Sequence, residues 1–139
     1  MLKAGSGMGR VLFMDDDKCM RELVVTLLQW TGYSTVASRE GREALALFER
    51  AAQEGIPFDA VILDLVVNTG MDGIQTALGL HKMKCTVPII AASGYSHHPV
   101  MASPREFYFT DCINKPYCPA QLIGKLEFLL QLSGKVRVG

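Results

Sequence analysis

The chain has 139 residues, 49% apolar and 20% charged, which is enough for one domain with a substantial core. Lysine plus arginine and aspartate plus glutamate balance at 14 each, so no basic field advertises nucleic acid or an anionic membrane surface. No run approaches the roughly 20 apolar residues that span a bilayer, and the start Met1-Leu2-Lys3-Ala4-Gly5-Ser6-Gly7-Met8-Gly9 lacks the apolar centre of a signal peptide.

Residues 1–9 therefore read as a linker or a remnant of expression. The first strand is expected over Arg10–Met14, followed by a helix over Lys18–Trp30 that ends at Gly32. Met20, Leu23, Val24, Leu27 and Leu28 share one apolar face of that helix, and Trp30 is expected to pack at its end. A short strand over Tyr33–Ala37 leads to a helix over Gly41–Ala52, with Ala44, Leu45, Leu47 and Phe48 inward and Gly55-Ile56-Pro57 as its break. Phe58–Leu65 is nearly continuous in apolar character, as in a central strand covered on both faces.

After a loop over Val66–Met71, a helix is expected around Asp72–Lys82, and Val87–Ala92 forms the fourth strand. Pro99 and Pro104 permit only a short or irregular helix between Ser96 and Phe109. Cys112–Asn114 is the fifth strand, and Pro119–Leu132 a last helix carrying Leu122, Ile123, Leu126, Leu129 and Leu130. Strand and helix alternate throughout. Right-handed crossovers then give an α/β doubly wound five-stranded parallel sheet of order 2-1-3-4-5. Residues 133–139 form a C-terminal tail.

Four of the apolar runs end in polar residues: Asp15 and Asp16, then Asp64, Ser93 and Lys115. In a parallel sheet the ligand site lies outside the carboxyl ends of the strands. Three carboxylates brought to that edge repel one another and favour a divalent cation, while a hydroxyl and an ammonium favour an anion. The pattern describes a site for a metal and a phosphoryl group. Asp72 reads as an N-cap, and Asp17 is equally a solvated helix-start carboxylate or a site residue. His97, His98 and His81 read as exposed. The cysteines Cys19, Cys85, Cys112 and Cys118 form no C-x-x-C pair and read as reduced, buried small groups of a cytoplasmic protein.

These residues occur in stretches that resemble the receiver domain of two-component response regulators from Arg10 to Leu132. The stretches are Val11-Leu12-Phe13-Met14-Asp15-Asp16-Asp17, Phe58-Asp59-Ala60-Val61-Ile62-Leu63-Asp64-Leu65, Gly70-Met71-Asp72-Gly73, Pro88-Ile89-Ile90-Ala91-Ala92-Ser93-Gly94 and Asn114-Lys115-Pro116-Tyr117. The resemblance implies a flavodoxin-like receiver fold over residues 10–132, with Asp64 as phosphoacceptor. It further implies Mg²⁺ held by Asp15, Asp16, Asp64 and the Val66 carbonyl, Ser93 and Lys115 on phosphoryl oxygens, and a cis bond before Pro116. The implied partner is a sensor histidine kinase or a histidine phosphotransfer domain, with no direct nucleic-acid or membrane contact. A phosphorylation-dependent homodimer through the fourth and fifth helical face is compatible with it.

The loop after Asp64 is one residue longer than in the commonest receivers, and with Ser93-Gly94-Tyr95-Ser96 and Pro99-Val100-Met101 it looks like receivers attached to hybrid sensor histidine kinases. Cys112 stands where receivers usually carry an aromatic switch residue, for which Tyr95 or Tyr117 could substitute. Val66 and Tyr95 occupy positions that tune attack of water on the acyl phosphate. The alternatives are a small phosphatase of the haloacid dehalogenase type, whose D-x-D start Asp15-Asp16-Asp17-Lys18 imitates, and a receiver-like scaffold that works without phosphorylation. The phosphatase reading lacks an acidic pair after Lys115 and a cap domain. Because the sequence stops soon after the fifth helix, no output domain is expected, and the domain either acts alone or belongs to a larger chain.

Overall fold

The structure is a computed structural model that describes residues 8–134. The elements follow the expected alternation: β1 (Gly9–Met14), α1 (Lys18–Trp30), β2 (Tyr33–Ser38), α2 (Gly41–Gln53), β3 (Ala60–Asp64), α3 (Gly73–Lys82), β4 (Ile89–Ser93), α4 (Pro99–Ala102), a 3₁₀ turn (Pro104–Phe107), β5 (Asp111–Asn114) and α5 (Pro119–Leu132). All strand pairs are parallel and the sheet order is β2-β1-β3-β4-β5. This is the doubly wound architecture that the residue pattern predicts.

Each central strand feeds two cores because its side chains alternate between faces. Val11 and Phe13 of β1, Ile62 of β3 and Ile90 of β4 pack with Val24 and Leu28 of α1 and Leu122, Leu126 and Leu130 of α5. Leu12, Met14, Val61, Leu63 and Ala91 pack on the other face with Ala44 of α2, Ala77 and Leu80 of α3, and Val100. Every residue of β3 is buried, which is why its sequence is continuously apolar. Helices α1, α2, α3 and α4 start where a side chain accepts the first free N–H groups. Asp17 caps α1 through Cys19 and Met20, and Asp72 forms a reciprocal capping box with Gln75 at α3.

Several expectations need correction. β1 opens at Gly9 and Met8 packs against the core, so the packed domain takes in two residues that the linker reading left outside it. The remainder of the linker and most of the tail (residues 1–7 and 135–139) lie outside the described residues. Trp30 is 79% exposed and Leu23 60%. Trp30 lies about 200° around α1 from Leu28, so the face that buries Val24 and Leu28 turns it outward. Two of the cysteines expected inside are not: Cys19 and Cys118 are exposed, while Cys85 and Cys112 are half-buried and pack against the core. His97 is exposed, but His98 is half-buried, and its Nδ1 accepts from the Val100 N–H at 3.2 Å to cap α4. That helix has only four residues because Ser103-Pro104 ends it, and Tyr108, at φ +70°, closes the 3₁₀ turn that follows. His81 is on the surface, stacked on Tyr108 with ring centroids 4.0 Å apart. Among the described residues, no helix is long and apolar enough to cross a membrane.

Candidate functional site

The carboxyl ends of β1, β3, β4 and β5 converge on one cleft of about 650 Å³, lined by Asp15, Asp16, Asp64, Val66, Ser93 and Lys115 among others. All the predicted site residues are therefore brought together. Asp15 directly follows β1, where its N–H donates to the Ser38 carbonyl at 3.1 Å and continues the ladder. It is fully buried. Its Oδ1 accepts from the Asp17 N–H at 2.9 Å, and the Arg21 guanidinium donates to its backbone carbonyl at 2.9 Å. Asp64 closes β3, is 4% exposed, and takes the Val66 N–H on Oδ1 at 3.3 Å. Asp16 is half-buried, and its Oδ2 accepts from the Asn68 N–H at 2.6 Å.

Lys115 reaches the site because its N–H bonds the Ser93 carbonyl at 2.9 Å just beyond β5. The Lys115–Pro116 peptide is cis. Its Nζ donates to Asp15 Oδ2 at 2.9 Å and to Asp64 Oδ2 at 3.1 Å. Carboxylate oxygens of Asp15, Asp16 and Asp64 lie within 4.8 Å of one another. Three carboxylates against one ammonium leave a formal excess of two negative charges, which suits a divalent cation with a hard oxygen ligand set. The donor set fits Mg²⁺.

Burial and the neighbouring charges together perturb the site's own acids and bases. Burial pushes the Asp64 carboxyl up to about 6, against the pull of Lys115 and with a further push from Asp15. Burial alone would lower Lys115, but its bonds to Asp15 and Asp64 outweigh that and hold it above the usual lysine range. The Ser93 hydroxyl accepts from the Tyr95 N–H at 2.9 Å, and the residue lines the cleft.

Of the two aromatic candidates for the switch, Tyr95 stands 68% exposed at the lip. Tyr117 is half-buried, its ring edge-on to Phe13 at 6.0 Å, and its hydroxyl is buried without a partner among the described residues. Burial, then Asp15 and Asp64, raise that phenol above its ordinary range. Cys112 instead ties β5 to the α4 segment, its thiol donating to the Met101 carbonyl at 3.6 Å.

Gly73 escaped the reading of candidate residues although it shapes the site. A Cβ there would press on the Asp64 carbonyl oxygen and Leu65 Cα, so only glycine lets α3 begin directly beneath the end of β3. Gly73→Ala is expected to destabilise the domain by about 1–3 kcal/mol, the range for overpacking, as urea unfolding would measure. Its signal was the Met71-Asp72-Gly73 stretch, where the aspartate is an N-cap and the glycine a packing residue.

Fold and site together define a signalling receiver. The response regulator receiver domain family matches residues 11–127, and the chain belongs to that family. The transcriptional regulatory protein PrrA of Mycobacterium tuberculosis is 30% identical over 125 residues, 90% of this chain and 51% of that protein. Response regulator MprA of Mycolicibacterium vanbaalenii is 27% identical over 122 residues, 88% of this chain and 50% of MprA. The chain thus spans about half the length of these curated relatives. Among solved structures, the chemotaxis protein CheY4 of Vibrio cholerae superposes with a TM-score of 0.79 at 26% identity, covering 89% of this chain and 100% of CheY4. The phosphatase alternative finds no support among them.

Proposed function

We propose that Asp64 accepts a phosphoryl group from the phosphohistidine of a sensor histidine kinase or histidine phosphotransfer domain. The observation that carries this is the placement of Lys115 Nζ between Asp15 and Asp64, beside three carboxylates at one sheet edge. An oxygen of Asp64 attacks phosphorus, the P–N bond to the histidine breaks, and the imidazole leaves with that electron pair. Asp15, Asp16, Asp64 and the Val66 carbonyl would hold Mg²⁺, which when bound offsets charge on the transferring oxygens. Lys115 then exchanges its bond to Asp64 for one to a phosphoryl oxygen, and Ser93 donates to another. The domain modifies only itself in this scheme; it is a signal transducer with a conformational readout in the α4–β5–α5 region.

The domain proper is assigned to residues 10–132 with Met8 and Gly9 added by packing. A cytoplasmic setting is supported by cysteines that stand as free thiols. Attachment to a hybrid sensor histidine kinase is the narrower proposal, supported by the longer loop after Asp64; the relatives named above are response regulators. A homodimer through the α4–β5–α5 face belongs to the same reading.

Intact mass after incubation with Mg²⁺ and acetyl phosphate tests the proposal. A gain of one phosphoryl group, lost in Asp64→Asn and without Mg²⁺, supports it. No gain with the fold intact favours the scaffold. Val66 and Tyr95, 49% and 68% exposed, flank Asp64 in the cleft. An apolar side chain and a ring there hinder in-line water, so slow autodephosphorylation is expected; a phosphoryl half-life of seconds with Mg²⁺ would refute it.

A further inference from the structure

Beyond the bond of the Val66 N–H to Asp64, the loop leaving Asp64 is held at two further points by carboxylates, and only one of them belongs to the acidic site. At its near end the Asn68 N–H donates to Asp16 Oδ2 at 2.6 Å. At its far end the Met71 N–H donates to Glu40 Oε1 at 3.0 Å, while the Met71 carbonyl accepts from the Gly41 N–H at 2.8 Å. Glu40 is also the N-cap of α2, accepting from the N–H groups of Arg42 and Glu43 at 3.0 and 3.1 Å. One carboxylate thus gathers three backbone N–H groups from two elements. The Met71 bond is the leading cause that holds this carboxyl below its ordinary range.

The approach is close on both sides. Gly70 sits at φ +97°, and a Cβ there would lie 2.7 Å from the Glu40 side chain. A Cβ on Gly41 would press into Thr76 and Met71. Only Thr69 and Gly70 separate the two anchored amides, so the position of Met71 constrains that of Asn68. Glu40 itself does not line the cleft.

From these contacts we infer that Glu40 is a positioning residue for the acidic site. By fixing the far end of the loop it fixes the Asn68 amide on Asp16 and the path of the Val66 backbone, and so sets the affinity for a divalent cation. The inference rests on the metal-site reading above. It assigns to a residue on α2 a part in cation binding that neither its sequence context nor its place outside the cleft suggests. Orienting contacts of this kind, one bond removed from the ligands, are worth about tenfold or more in metal affinity.

Glu40→Asp separates this role from helix capping. Aspartate is a good N-cap, so it still serves Arg42 and Glu43, but it is one methylene too short to hold Met71. Glu40→Ala removes both. Mg²⁺ binding would be followed by amide chemical shifts, and hydrogen exchange of Asn68 and Met71 measured without cation. Expected are about tenfold weaker Mg²⁺ binding in both variants and faster exchange at Asn68 and Met71. Phosphorylation should recover in Glu40→Asp at saturating Mg²⁺. Unchanged Mg²⁺ affinity in both variants overturns the inference, as does faster exchange at Met71 with Asn68 unmoved. Wild type that takes no Mg²⁺ overturns the metal-site reading itself and the inference with it. The exchange arm needs no cation and tells these failures apart.

Discussion

Asp64→Asn will make the cation-free domain more stable at neutral pH, although it removes the proposed phosphoacceptor. Asp15 is fully buried and Asp64 is 4% exposed, and the two share one ammonium. Burial is the main reason the Asp64 carboxyl is pushed up to about 6 from its ordinary 3.8. Below pH 3.8 both folded and unfolded chains hold the proton, and Asp64 costs nothing. As pH rises from there the unfolded chain releases its proton first, so stability falls until the folded carboxyl also ionises near 6. The penalty is complete above that point and amounts to roughly 3 kcal/mol by linkage. Asparagine keeps the shape but forfeits part of the bond to Lys115, so a gain of about 1–3 kcal/mol is expected at pH 7.5. Urea unfolding in the presence of a chelator would measure it, and the gain should fade as pH approaches 4. A variant less stable than wild type at pH 7.5 would mean that the site is not strained by its charge. Added Mg²⁺ should narrow the difference by stabilising wild type through mass action.

That excess charge was legible in the sequence because it is carried by strand ends. Each of Met14-Asp15, Leu63-Asp64 and Ala92-Ser93 is a change from apolar to polar at the end of a buried run, and a parallel sheet sends all such ends to one edge. The bounds of α1 and α5 were equally readable, since Asp17 and Pro119 mark their starts and the apolar spacing runs to Trp30 and Leu132. What local pattern could not supply was the direction in which ambiguous apolar residues point. Leu23 borders the apolar stripe of α1 and Trp30 lies outside it, while the sheet beneath accommodates the Val24–Leu28 line.

The cysteines failed for a related reason: Cys19 sits in the first turn of α1 and Cys118 caps α5, at the open edge of the sheet. Cys118 makes no side-chain cap bond, so its identity carried no positional signal. The segment between Ser96 and Phe109 was readable only as broken, because two prolines forbid a long helix without saying how the fragments fold. Glu40 and Gly73 were invisible as site residues for a different reason. Their parts depend on contacts 31 residues away for Glu40 and Met71, and on the meeting of a helix start with a strand end for Gly73. Such approaches are properties of the assembled fold, and a single sequence names only the glycine or the cap.

Lys115→Met should separate two properties that the wild-type site combines. The lysine is the cation shared by Asp15 and Asp64, so a methionine of similar length leaves two buried carboxylates facing each other. Breaking a buried pair in this way costs about 3 kcal/mol, limited here because Asp64 can take up a proton. The opposite sign from Asp64→Asn follows from the same imbalance: one substitution removes a surplus charge and the other its counter-charge. With the ammonium gone, the three carboxylates attract a divalent cation more strongly, so Mg²⁺ should bind tighter and restore much of the lost stability. Phosphorylation by acetyl phosphate should nevertheless fall by about 10²–10³-fold, because no cationic donor meets the charge developing on the phosphoryl oxygens. Calorimetric Mg²⁺ titration beside the intact-mass assay reads both at once. Tighter metal binding with slower phosphorylation would identify Lys115 as a donor to the transferring group. Weaker metal binding would instead make the ammonium a support that holds Asp15 and Asp64 in their metal-binding arrangement.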